Sequence, residues 1–293
     1  MHKVMDVVAE GLGHPEGPYA LADGRVVFAN TYASEVGVWE PEKGKGTFAH
    51  VGGGPNACML GTDDLVYITN CPTVGAWVAP ERVPPSIMRV AEGGQPEVVC
   101  TEADGVTLNA PNDLTFGPDG RLYFTDSGDW DPVTKPHPGY ICVIETDGTA
   151  HVLEELEPVY PNGIVAEADG SIVWVESYTR RVVRRTTDGK VDVIHELPER
   201  HIPDGFKIDT DGNFWITTFS SGGLDVIDRN GNHVDFVETG GVPLNCCFDG
   251  SSLYVCDFGT TETTDPDATP MGGRLLRLEV AAEGMPLFRG AIA

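Results

Sequence analysis

The sequence predicts an all-β fold, a six-bladed β-propeller with four antiparallel strands in each blade. Three observations carry this. A proline opens a short polar motif six times, at Pro15-Glu16, Pro55-Asn56, Pro111-Asn112, Pro161-Asn162, Pro203-Asp204 and Pro243, whose polar residue follows one place late at Asn245. Each motif leads through a short apolar segment and a tight-turn pair into a strongly β-prone run. The polar residues recur at intervals of 40, 56, 50, 42 and 41 residues, the length of one propeller blade.

The turn pairs are Asp23-Gly24, Asp63-Asp64, Asp119-Gly120, Asp169-Gly170, Asp211-Gly212 and Asp249-Gly250, of the kind that joins antiparallel strands. The runs that follow include Arg25-Val26-Val27-Phe28, Leu65-Val66-Tyr67-Ile68 and Ile172-Val173-Trp174-Val175. Two further β-prone segments complete each unit, as in Val182 to Arg185 and then Val191 to Ile194. The two long intervals contain insertions rich in Pro and Gly, Cys71 to Pro85 in the second blade and Ser127 to Pro138 in the third. Both follow a second strand and are expected to rise around the mouth of the channel. Little sequence remains after Arg274 to Val280, so the ring of a single domain, 1–293, is expected to close on Val4 to Ala9 as the missing strand.

Forty-five acidic against nineteen basic residues give a net charge of -26, which argues against nucleic acid and anionic membranes as partners. Thirty-six glycines and 22 prolines suit many turns between short strands. The seven cysteines show neither zinc-ligand spacing nor a CxxC pair, and read as reduced core thiols of a cytoplasmic protein. No apolar stretch approaches the roughly 20 residues of a membrane span.

In a propeller the start of each innermost strand meets the central axis. Glu16, Asn56, Asn112, Asn162, Asp204 and Asn245 are therefore expected to converge there, offering only oxygen donors. Such a set favours Ca²⁺, Mg²⁺ or Mn²⁺ over a structural zinc. Read singly, each motif is also a good turn former that caps its own loop. A second polar tier, Asn30, Asn70, Asp126, Glu176, Thr218 and Asp257, stands at the end of each second strand; of these, Asn30, Asn70 and Thr218 read best as partners of loop backbone. His14 and His201 precede ligand motifs and read as hydrogen-bonded loop histidines or as proton shuttles.

The motifs His14-Pro15-Glu16-Gly17-Pro18, Leu108-Asn109-Ala110-Pro111-Asn112-Asp113-Leu114, Tyr123-Phe124-Thr125-Asp126, Pro161-Asn162-Gly163 and Ile202-Pro203-Asp204-Gly205 span nearly the whole chain. In that order they resemble the senescence marker protein/gluconolactonase/luciferin-regenerating enzyme family of six-bladed propellers. The resemblance implies a metal-dependent lactonase in which Glu16, Asn162 and Asp204 bind one divalent cation, calcium first, with Mg²⁺, Mn²⁺ or Zn²⁺ as alternatives. Asn112 is implied as a further ligand or substrate contact, and Asp204 as the base that takes the proton of the attacking water. Asn56, Asn245, Trp130 and Asp126 complete the expected contacts to a small lactone. Where animal members hold an arginine and a glutamate against a sugar lactone, this chain has Ala110 and, near the second, Trp130, which points to a less hydroxylated lactone. Tyr160, Tyr178, Phe219 and Phe258 are further aromatics expected near the mouth, with Trp130 the first choice as pocket lining. Two alternatives stay open: another ester or organophosphate electrophile at the same site, and a calcium-binding regulatory protein without turnover. The expected assembly is a monomer or small homo-oligomer.

Overall fold

The computed structural model describes residues 5–259 and 271–293. Six four-stranded antiparallel sheets stand around one axis as the blades of a propeller. Their innermost strands are Pro15–Ala20, Gly54–Leu60, Pro111–Phe116, Pro161–Ala166, Pro203–Ile208 and Pro243–Asp249. The second strands are Val26–Asn30, Val66–Cys71, Leu122–Asp126, Ile172–Glu176, Phe214–Thr218 and Ser252–Asp257. Every turn between them holds a left-handed residue. It is glycine in five blades, as at Gly24 with φ 85°, and Asp64 with φ 61° in the second. Aspartate tolerates that conformation better than most side chains.

In the sixth blade the outer strand comes from the other end of the chain. Met5–Leu12 pairs antiparallel with Gly273–Glu279, from Met5 opposite Leu278 to Leu12 opposite Gly273. Val4 lies outside the described residues. The C-terminal segment then crosses the far side of the ring: the Met285 amide donates to Ile208 O (2.9 Å), Thr62 N to Gly290 O (2.7 Å) and Ala293 N to Thr146 O (2.9 Å). These partners lie at or beside the hairpin turns, so the segment covers the end of the channel opposite the proline motifs.

The apolar core lies between blades. Strand side chains alternate in direction, so each blade presents one apolar face to the blade before it and one to the blade after. Val165, Val173 and Val175 of the fourth blade pack on Phe206, Phe214 and Ile216 of the fifth. Trp215 and Val226, on the other face of the fifth, pack on Cys246, Val255 and Leu276 of the sixth. Ala9 and Leu12 of the closing strand join Tyr254 and Leu275 against Val26, Phe28 and Trp39 of the first. All seven cysteines are unpaired, and six are buried. No helix among the described residues is long and apolar enough to cross a membrane.

Candidate active site

Each ligand motif sits at an irregularity that its own sequence creates. Proline cannot donate to the ladder, and in five blades it occupies the first position of the inner strand. Immediately after it the register breaks. Pro111 pairs with Asp126 and Leu114 with Phe124, three steps against two, and the same slip separates Pro161 from Ile164 and Pro203 from Phe206. A bulge of this kind re-aims side chains, here toward the axis. The glycine after Glu16, Asn162 and Asp204 lets neighbouring inner strands approach: a Cβ on Gly17 would overlap Ala57, and one on Gly205 the Asn245 carboxamide.

The result is a cavity of about 270 Å³ at one end of the channel, with Glu16, Asn56, Asn112, Asn162 and Asp204 among the residues that line it. Glu16, Asn162 and Asp204 are buried, exposing 3%, 4% and 8% of their surface. Burial, and then the charges of Asp204 and Asp113, push the Glu16 carboxyl well above the ordinary glutamate range. Burial also pushes Asp204 up to about 8, with the Asp113 charge adding to it and the Asn162 carboxamide opposing it. His14, at the edge of the same cavity, is lowered to about 4 by burial.

A belt of hydroxyls fixes the floor from the neighbouring blade. Thr69 donates to Asn112 O (2.6 Å), Thr125 to Asn162 O (2.7 Å) and Thr217 to Leu244 O (2.7 Å), each reaching from one blade to the next. One turn higher, Thr31 donates to Pro55 O (2.8 Å), Ser127 to Pro161 O and Ser177 to Pro203 O (2.8 Å). Ser177 also accepts from Asn162 Nδ2 at 3.2 Å, which leaves Asn162 Oδ1 buried with no hydrogen-bond partner. Asn56 Nδ2 donates to Asn112 O (3.0 Å) and Oδ1 (3.3 Å).

The family described as SMP-30/Gluconolactonase/LRE-like region matches residues 14–257. The chain belongs to this family. Among relatives of the SMP-30/gluconolactonase family, a gluconolactonase of Zymomonas mobilis is 23% identical over 291 residues, covering 86% of this chain and 78% of that protein. A pentonolactonase of Haloferax volcanii is 28% identical over 204 residues, covering 62% of this chain and 66% of that protein. Among solved structures, a calcium-binding protein, regucalcin, from Agrobacterium tumefaciens superposes with a TM-score of 0.75 at 21% identity, over 96% of this chain and 94% of that one.

Within this member of the SMP-30/gluconolactonase family, four expected residues meet at the cavity as a candidate metal set: Glu16, Asn112, Asn162 and Asp204. Their chemistry fits a hard divalent cation. The donors are all oxygens, one of them is a buried orphan, and among the described residues neither Glu16 nor Asp204 forms an ion pair with a lysine or arginine. Among the described residues no group of three or more His, Cys, Asp or Glu is disposed to hold a metal. The set therefore depends on carboxamides.

Asn56 and Trp130 line the cavity as expected, and so do Tyr160, Phe219 and Phe258. Tyr178 stands behind Trp130, its ring 5.0 Å away and its hydroxyl accepting from Asp131 N at 2.9 Å. Two expected substrate contacts are displaced. Asp126 is buried beneath the loop, where its carboxylate accepts from Asn109 N (2.8 Å) and Ala110 N (2.6 Å), because buried amides demand an acceptor. Asn245 lies below the cavity, its carboxamide bonded to Glu16 and, at 3.3 Å, to Asp113. His201 is tied to Asp225 at 2.7 Å and does not line the cavity.

The residue that sequence reasoning missed is Asp113. Strict alternation would turn it away from the axis, but the bulge brings it beside Asn112 to face Asn245. The consecutive polar pair Asn112-Asp113, with no counterpart in the other five motifs, was the available signal.

The two insertions form one wall. The Thr73–Val74 and Trp77–Val78 strands make a small hairpin over the mouth, and Thr73 Oγ1 donates to Asp129 Oδ1 at 2.7 Å. That bond fastens the second-blade insertion to the loop that carries Trp130.

Proposed function

We propose that the protein hydrolyses a lactone to a hydroxy acid at this cavity, using a divalent cation held by Glu16, Asn162 and Asp204 with Asn112 beside them. The observation that carries the reading is the buried oxygen set itself: two carboxylates with raised proton affinity, no cationic side chain paired with them among the described residues, and an orphaned carboxamide oxygen. The gluconolactonase and pentonolactonase among its relatives support the electrophile. When bound there, a divalent cation polarises the lactone carbonyl and offsets the mutual repulsion of the carboxylates.

Asp204, ionised, takes a proton from the water whose oxygen bonds to the carbonyl carbon. The ring C–O bond then breaks, and the departing ring oxygen takes the proton back from Asp204, leaving a hydroxyl at one end of the product and a carboxylic acid at the other. Asn162 and Ser177 hold Asp204 and the neighbouring Pro203 carbonyl in place, so the base does not swing away. Calcium is the first candidate, because the donors are neutral and anionic oxygens.

The test follows acid release from a panel of lactones by protein stripped with EDTA and then given Ca²⁺, Mg²⁺, Mn²⁺ or Zn²⁺. Turnover should depend on the metal, and Asp204→Asn should lower it about 10²- to 10⁴-fold. Metal binding by calorimetry with no turnover of any lactone would overturn the reading in favour of a calcium-binding protein without catalysis. Undiminished activity in Asp204→Asn would sink the role of that carboxylate.

A further inference from the structure

The cavity separates its chemistry into two zones. Every carboxylate and carboxamide that lines it belongs to the floor. Above the floor each blade contributes an apolar or aromatic side chain, in turn Tyr32, Val74, Trp130, Tyr160, Phe219 and Phe258. Among the described residues no charged side chain, serine or threonine lines this cavity wall, Thr73 and Asp129 lying in an adjoining cleft where they bond to each other; the wall's side-chain polar atoms are the His14 ring, the Trp130 indole N–H and the phenols of Tyr32 and Tyr160.

The aromatics form two groups. On one side His14 lies 4.4 Å from Phe258 and 5.4 Å from Tyr32. On the other, Trp130 lies 4.8 Å from Tyr160 and 5.7 Å from Phe219. His14 and Tyr160 each immediately precede the proline of an inner strand, in the first and fourth blades, which stand opposite each other in a ring of six. Both hold left-handed backbone, with φ 57° and 56°. Among non-glycine residues histidine adopts that conformation more readily than most, whereas for a bulky tyrosine it is unusual. Here both aim rings into the same cavity from facing walls.

Resting on the reading of this site as a lactone hydrolase, we propose that its substrate is a lactone bearing an apolar ring or alkyl substituent and few hydroxyls. A polyhydroxylated ring seated on the floor would push hydroxyls against Val74, Leu244 and the aromatic faces, where the few polar atoms of the wall cannot replace all the water they lose. An apolar substituent removes the same wall from water. A cavity of about 270 Å³ falls just below the roughly 300–1,000 Å³ of drug-sized sites, which suits one small ring and one substituent.

The experiment compares three five-membered lactones on the metal-loaded protein: γ-butyrolactone, γ-phenyl-γ-butyrolactone and D-ribono-1,4-lactone. kcat/KM for the phenyl lactone should exceed that for the ribonolactone by about 100-fold or more. Trp130→Ala should narrow that ratio at least tenfold, and Phe219→Ala, from a different blade, should narrow it as well. A ribonolactone turned over as well as the phenyl lactone would overturn the inference while leaving the hydrolase reading intact. If no lactone is hydrolysed with any cation, the hydrolase reading falls, and binding of the matching γ-lactams by calorimetry decides the pocket separately. Tighter binding of 5-phenylpyrrolidin-2-one than of the trihydroxylated lactam supports the apolar wall, and equal or weaker binding refutes it.

Discussion

Replacing Asp204 with asparagine should stabilise the metal-free protein at alkaline pH and reduce the further stabilisation that calcium gives. Asparagine keeps the shape and removes a buried charge that sits near those of Glu16 and Asp113. The Asp204 carboxyl moves from 3.8 to about 8 on folding. Between those values the native state holds a proton that the unfolded chain has lost, so stability falls as pH rises and the loss is complete above about pH 8. At pH 9 the burden is on the order of 5 kcal/mol, an upper bound because Glu16 shares it. Unfolding a chain of this length carries an entropy of roughly 0.6 kcal/mol per degree, so the variant should melt about 8 °C higher in EDTA. At pH 5 the difference should shrink to about 2–3 °C. Calcium at about 1,000 times its Kd should raise the wild type by about 4 kcal/mol, roughly 7 °C, and the variant by less. Scanning calorimetry at the two pH values, with EDTA and with calcium, reads all four numbers. Equal melting temperatures for the two proteins in EDTA at pH 9 would show that the buried carboxylates are not in conflict and would remove the main physical reason for a cation.

Thr73→Ala unfastens the insertion hairpin from Asp129 and should raise KM several-fold, with a stability loss of only about 1 kcal/mol by urea titration. Arg274→Met leaves Asp257, fully buried and bonded to Arg274 at 2.8 Å, without its counter-charge, and should cost about 3–5 kcal/mol. Adding Asp257→Asn to that variant should restore much of the loss.

Much of the ring was legible because each blade repeats the same local solution. Five Asp-Gly turns and one Asp-Asp turn set six hairpins, and the prolines mark where each inner strand begins. The floor was legible where one polar residue follows a proline, as at Glu16, Asn162 and Asp204. It failed where position alone does not decide what a carboxylate faces. Asp126 and Asp257 stand at the same place in their blades, yet one accepts from two loop amides and the other pairs with an arginine that lies 17 residues later. Asp113 was hidden because a bulge suspends the alternation by which strand residues are sorted. The hydroxyl belt was visible as Thr69, Thr125 and Thr217 at one offset, but a threonine in a strand reads first as β propensity.

The pairing of Met5–Leu12 with Gly273–Glu279 also sets a clock on biosynthesis. Met5 leaves the ribosome 273 residues before its partner Leu278, a wait of roughly 15 to 55 s at typical elongation rates. For that interval the first blade shows an uncovered apolar face, and the growing arc has two open edges. The proposed ligands Glu16, Asn112, Asn162 and Asp204 come from the first, third, fourth and fifth blades, so the set is incomplete until the fifth blade has been made. A chain stalled before the fifth blade therefore lacks Asp204, and it offers chaperones an apolar face before the proposed cation set is complete.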